Sequence, residues 1–162
     1  MAEQSKKVHE LLESREATVS SAESLTGGRL ATALTEVPGS SSTFKGGVVA
    51  YATEMKVALL GVPQEVVDTH GVVSAECAEA MAQGVRSLTG ATYGVSTTGV
   101  AGPASQEGKP PGTVFIGLAG PDGVTSVALE LEGERSEITQ QTLDAALAVF
   151  EDALREEETA LG

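Results

Sequence analysis

The chain has 162 residues, 41% of them hydrophobic, which suits one domain (1–162) with a core of its own and not a disordered segment. Twenty-three acids against ten cations give a net charge of −13, aromatics are 3% and Trp is absent, so the chain repels phosphate backbones, offers few stacking platforms, and nucleic acid is not an expected partner. With no membrane-length apolar run, no charged-then-apolar leader, one cysteine (Cys77) and two scattered histidines, we expect a soluble, cytoplasmic protein with no membrane partner, no disulfide, no metal and no cofactor.

Residues 4–14 carry Val8, Leu11 and Leu12 at helical spacing and read as an amphipathic helix with His9 on its rim. Residues 17–22 read as a first strand. Residues 26–36 read as a helix, closed by Pro38 and Gly39. GGVVAY (46–51) reads as a buried strand. TEMKVALLG (53–61) reads as a short helix with Thr53 as N-cap and Gly61 as its stop. PQEVVDTHG (63–71) reads as another helical piece, with His70 bonding its last carbonyls. The spacing predicts the clearest helix over 74–89, capped by Ser74, with Cys77, Met81, Val85 and Leu88 on one face. That placement makes Cys77 an inert core thiol.

Three strand candidates follow at 91–99, 112–120 and 124–131. The last two are joined by Gly120, Pro121, Asp122 and Gly123, which is hairpin chemistry. Residues 136–155 read as a final helix with Leu143, Leu147, Phe150 and Leu154 inward, and the acidic end, Glu156 to Glu158, is expected to fray. Strands alternating with helices, plus one late hairpin, predict an α/β fold. Its sheet would be mixed, of about five strands, with helices on both faces.

In such sheets the strand-to-helix loops collect at the strands' carboxyl ends, where ligands bind. Three polar loops stand out: AESLTGG (22–28), PGSSSTFKGG (38–47) and STTGVAGPASQEGKPPG (96–112). Their glycines let a backbone approach a ligand, and free N–H groups at a following helix attract anions. None is a Walker A loop or a dinucleotide fingerprint, and taken singly each reads more readily as a plain turn or cap. A serine near a lysine and a tyrosine can also form a hydrolase arrangement. That chemistry needs burial to lower the lysine pKa from about 10.4 toward roughly 7–8, so that a neutral amine can accept the proton. Lys56, one turn into its helix and just after Tyr51, is the candidate. The competing reading is a solvated lysine on a helix face.

Those segments, together with LLGVP (59–63), HGVVS (70–74), TGVAGP (98–103) and KPPGTV (109–114), resemble the CinA C-terminal domain family from about Thr18 to Leu154. The resemblance implies a three-layer α/β/α sandwich with a mixed five-stranded sheet. It implies nicotinamide mononucleotide deamidation: hydrolysis of the carboxamide to nicotinic acid mononucleotide and ammonia, a step in pyridine nucleotide recycling. Longer relatives carry a preceding molybdopterin-binding-like domain, so the stand-alone form is expected here. A small-molecule nucleotide is the implied partner and a homodimer the implied assembly.

Carried over residue by residue, the resemblance makes Ser24 the nucleophile, with Ser41 as runner-up, and Tyr51 and Lys56 the groups that move its proton. It matches Ser42 to the family's GSS segment and Thr98 and Gly99 to its threonine-glycine loop. The oxyanion is expected at the N–H groups of Gly27 and Gly28, beside Thr26, or of Thr98 and Gly99. The phosphate is expected at Arg135 or Lys45. Leu25 stands where many relatives have cysteine, so a thiol there is not required. Thr139 stands where relatives often carry a second basic residue, which bears on phosphate binding. Two other readings compete: a non-catalytic nucleotide-binding module that uses the same loops, and a structural or regulatory domain linked to competence or DNA damage, for which the serine, tyrosine and lysine would lie spread over the surface.

Overall fold

The structure, a computed structural model, describes residues 2–161. Its elements run α1 (Ala2–Ser14), β1 (Val19–Glu23), α2 (Arg29–Thr35), a 3-10 turn (Ser40–Ser42), β2 (Phe44–Val49), α3 (Thr53–Leu60), α4 (Gln64–His70), α5 (Ala75–Thr89), β3 (Tyr93–Gly99), β4 (Thr113–Gly120), β5 (Gly123–Glu130) and α6 (Arg135–Leu161). The strands form a 5-stranded sheet in the order β2-β1-β3-β4-β5. The first three strands in that order are parallel, and β4 is antiparallel to both its neighbours. This is the expected α/β/α sandwich with a mixed sheet.

Alternation along the strands sorts side chains between two cores. Val114 and Ile116 of β4 face one core with Leu12 of α1, Leu30 of α2 and Leu147 of α6. Phe115, between them, faces the other, built from Leu60 of α3 and Cys77, Met81 and Val85 of α5. Helix α5 lies close enough to the sheet that a methyl at Gly117 would overlap the Ala78 carbonyl oxygen, and one at Gly94 the Ala82 carbonyl oxygen. Ser96, the cross-strand partner of Gly117, donates to Ala78 O at 2.5 Å. The small residues of the sheet centre are therefore a bed for one helix backbone.

Several elements differ from the sequence expectation for identifiable reasons. The 46–51 run begins earlier, at Phe44, and is an edge strand with Lys45, Gly47 and Val49 exposed. An apolar run does not distinguish an edge from a centre. Thr26 to Gly28 form a turn ahead of α2, with Gly27 and Gly28 at positive φ. Ala52, not Thr53, occupies the N-cap of α3, with no side-chain bond. Leu88 is 57% exposed, off the buried face of α5. His9 is buried, with Nδ1 2.8 Å from Thr43 Oγ1. The acidic end stays helical because Arg15 reaches across to Glu157 at 3.3 Å and Glu158 at 3.6 Å.

Gly117→Ala should lower stability by about 2–3 kcal/mol through overpacking. A urea midpoint unchanged from wild type would contradict the close approach of α5.

Candidate active site

Because β4 is antiparallel to its neighbours, β5 runs in the direction of β1, β2 and β3, and all four end at one edge of the sheet. Ser24 follows β1, Ala50 and Tyr51 follow β2, Val100 to Gly102 follow β3, and Arg135 opens α6 after β5. The chain leaves β1 for one neighbour by way of α2 and reaches the other by way of α3 to α5, on the opposite face. A crevice remains outside such a switch point. Here it is a cavity of about 300 Å³, lined by Ser24, Tyr51, Lys56, Thr98, Gly99 and Arg135 among others.

Lys56 is 1% exposed. Its Nζ lies 3.0 Å from Ser24 Oγ, 2.8 Å from Ala50 O and 3.2 Å from Tyr51 O. Among the described residues it forms no ion pair. Burial pushes the amine below its ordinary pKa of 10.5, against weaker pulls from Cys77, Glu107 and Glu54. A neutral amine has two N–H groups and one lone pair. The two carbonyls take the N–H groups, and the lone pair is left for the Ser24 hydroxyl. Protonated, the amine would instead donate to Ser24 Oγ. One proton therefore decides which of the two groups donates in this contact.

The Tyr51 phenol oxygen accepts from Arg135 Nη2 at 2.6 Å, and Arg135 Nη1 donates to Gly102 O at 2.5 Å. Among the described residues the phenol hydrogen-bonds neither Ser24 nor Lys56. The amine and the Ser24 hydroxyl are in direct contact, with the Tyr51 phenol engaged by Arg135.

Glu23, which the sequence reading passed over, holds the turn that presents Ser24. It is 1% exposed. Its Oε1 accepts from Thr26 Oγ1 (2.6 Å), Gly28 N (3.2 Å) and Leu30 N (2.8 Å), and its Oε2 from Ala31 N (3.0 Å). The strand's last residue thus caps α2 in place of a side chain at Gly28. Gly27 lines a larger cavity beside Tyr51, but the N–H groups expected at 27 and 28 are used within the turn. Thr26 is buried under the turn, 2.8 Å from Thr97 Oγ1. Gly27 N donates to Ser24 O at 3.1 Å and Gly28 N to Glu23, so neither N–H is open to a ligand. The N–H groups of Leu25, Ala101 and Gly102, all cavity-lining residues, have no partner among the described residues.

Across the cavity, Thr98 Oγ1 donates to Val72 O at 2.7 Å. Glu107 accepts from Val72 N at 2.9 Å and Val73 N at 3.0 Å, and Lys109 Nζ donates to Val73 O. The loop after β3 is thereby fastened to the turn before α5. His70 is exposed, with its ring 3.7 Å from Glu76 rather than on the helix carbonyls. The Cys77 thiol is buried and pushed up to about 11 by that burial, as suits an inert core thiol.

The sequence pattern of the CinA C-terminal domain matches residues 1–154. The chain belongs to that family. A CinA-like protein of Frankia casuarinae is 54% identical over 137 residues, 85% of this chain and 32% of that protein. The chain spans about a third of the length of the curated relatives it matches. A CinA-superfamily crystal structure from Klebsiella pneumoniae superposes with a TM-score of 0.92 at 29% identity, covering 96% of this chain and 98% of that one. The competence/damage inducible protein of Agrobacterium tumefaciens gives 0.90 at 34% identity, over 95% and 94%.

Three residues carried over from the CinA pattern lie elsewhere. Ser41, Ser42 and Lys45 sit at the start of β2, where Val19 N bonds Thr43 O at 2.7 Å, so they flank the amino end of β1. A strand the length of β2 spans roughly 17–20 Å. The parallel pairing of Val19 with Phe44 and Glu23 with Val49 therefore puts them at the far edge of the sheet. Ser42 Oγ donates to Glu13 Oε2 at 3.2 Å and Gly39 O at 3.0 Å. Ser41 is exposed and outside both cavities that Tyr51 lines.

Glu23→Ala should destabilise the protein by roughly 3 kcal/mol, because it leaves several buried donors without an acceptor. Glu23→Gln, which keeps one acceptor, should lie between it and wild type in urea midpoint.

Proposed function

We propose that the chain is an amidohydrolase that converts nicotinamide mononucleotide to nicotinic acid mononucleotide and ammonia, a reaction of pyridine nucleotide recycling. The observation that carries this reading is the buried Lys56 amine 3.0 Å from Ser24 Oγ, with its N–H groups taken by carbonyls. A serine is a weak nucleophile until a neighbouring base takes its proton.

In the proposed sequence, Ser24 Oγ attacks the carboxamide carbon and its proton passes to Lys56 Nζ. The ammonium then protonates the departing nitrogen, the C–N bond breaks, and ammonia leaves an acyl ester on Ser24. Water attacks that ester and gives a proton to Lys56. Collapse of the second tetrahedral species breaks the ester bond and returns the proton to Ser24 Oγ. The open N–H groups of Leu25, Ala101 and Gly102 are the donors available to the oxyanion. Each well-placed donor contributes roughly 3–4 kcal/mol. Arg135 supplies a cation for the phosphate.

Lys56→Met should abolish ammonia release from nicotinamide mononucleotide while the protein stays folded. Wild-type turnover in that variant would remove lysine as the base. The active form is the unprotonated amine, so kcat/KM should rise with pH along a one-proton limb. Its apparent pKa should fall below 10.5, the direction burial imposes on Lys56. A flat profile across that limb would contradict the assignment.

A further inference from the structure

Beside the Ser24–Lys56 cavity lies a larger one of about 780 Å³. The two share Leu25, Tyr51, Ala101, Gly102, Pro103 and Arg135, so the second continues the first. Arg29 and Arg135 both line it, against one carboxylate, Glu134. The lining is therefore net cationic in a molecule that carries −13 overall.

Acids outnumber cations by more than two to one in this chain. Yet among the described residues neither arginine forms an ion pair. Their recorded bonds go to neutral oxygens: Arg29 Nη1 to Thr26 O at 3.0 Å, and Arg135 to Gly102 O and the Tyr51 phenol. A guanidinium has five N–H donors in a planar fork suited to phosphate. Arg29 spends one of them on the Thr26 carbonyl, which ties its head to the turn Glu23 holds rigid. Most of its donors stay open.

We propose that Arg29 is the second cation of the phosphate subsite and, with Arg135, clamps the 5′-phosphate of the nucleotide. It fills the part that Lys45, at the far edge of the sheet, leaves vacant. The inference rests on the reading above, since the carboxamide must lie at Ser24 for the phosphate to lie in the second cavity. Selectivity follows: the protein prefers a phosphorylated nucleoside to the bare one, because a neutral sugar end leaves two guanidinium groups without an anion.

The test is binding of ribose 5-phosphate, which carries the sugar phosphate and no amide, measured by calorimetry on wild type, Arg29→Ala and Arg29→Gln, with ribose as control. Loss of a charge-assisted bond to an anion should weaken ribose 5-phosphate about 10- to 100-fold in both variants and leave ribose unchanged. Arg29→Gln keeps a polar side chain at this position without the charge, so it carries the test if Arg29→Ala is misfolded. In turnover, KM for nicotinamide mononucleotide should rise by a similar factor with kcat altered far less. Equal ribose 5-phosphate affinity in variant and wild type would overturn the inference, as would no binding to wild type. Arg29-dependent binding without ammonia release would sink the deamidase reading and leave the phosphate clamp standing.

Discussion

Taking an amine out of water without giving it a carboxylate disfavours its charged form, and the arrangement of this site follows from that constraint. Lys56 is held among two carbonyls and one hydroxyl, and burial there lowers the pKa of its amine. The carbonyls come from the exit of β2 and the hydroxyl from the exit of β1. What brings them together is the parallel register that pairs Glu23 with Val49. A shift of that register by one residue would turn Ser24 away from the amine. The contact between Ser24 and Lys56 is thus set by the pairing of two strands.

Around that contact the rest of the structure acts as support. Glu23 gathers donors from Thr26 to Ala31 and makes the β1–α2 turn rigid. Helix α5, bedded on Gly94, Ser96 and Gly117, fixes the far wall through the turn that Glu107 and Thr98 hold. Preorganisation of this kind matters because a nucleophile and base misplaced by an ångström lose much of their advantage. Its components are ordinary: a capping carboxylate, a close helix–sheet approach, and a loop tied down at its middle.

The electrostatics are local. A strongly acidic surface disfavours anions in general, so an anionic ligand needs a place where cations outnumber acids. The larger cavity provides one, with its arginines bonded to neutral oxygens and one carboxylate on its wall. The inner cavity holds a buried amine whose pKa burial lowers. A ligand with a neutral amide at one end and a phosphate at the other matches that division.

The number and order of strands and helices were legible in the sequence, because hydrophobic period and turn chemistry report local burial. Ser24, Thr98 and Gly99 were legible as parts of polar loops after strands, Tyr51 and Lys56 as a pair after the second strand, and Arg135 through the family resemblance; all six line one cavity. What the linear pattern does not contain is which end of the sheet each loop reaches. The segment at 38–47 is as polar as the one at 22–28, yet it enters a parallel strand where the other leaves one, so Ser41, Ser42 and Lys45 fall on the wrong side. Glu23 and Arg29 escaped notice for a related reason. One looks like the charged end of a strand and the other like a helix surface residue, until the turn between them closes. Residue type and periodicity settle what each segment is; strand direction and pairing settle what it meets, because contacts across a sheet depend on pairing and not on sequence distance.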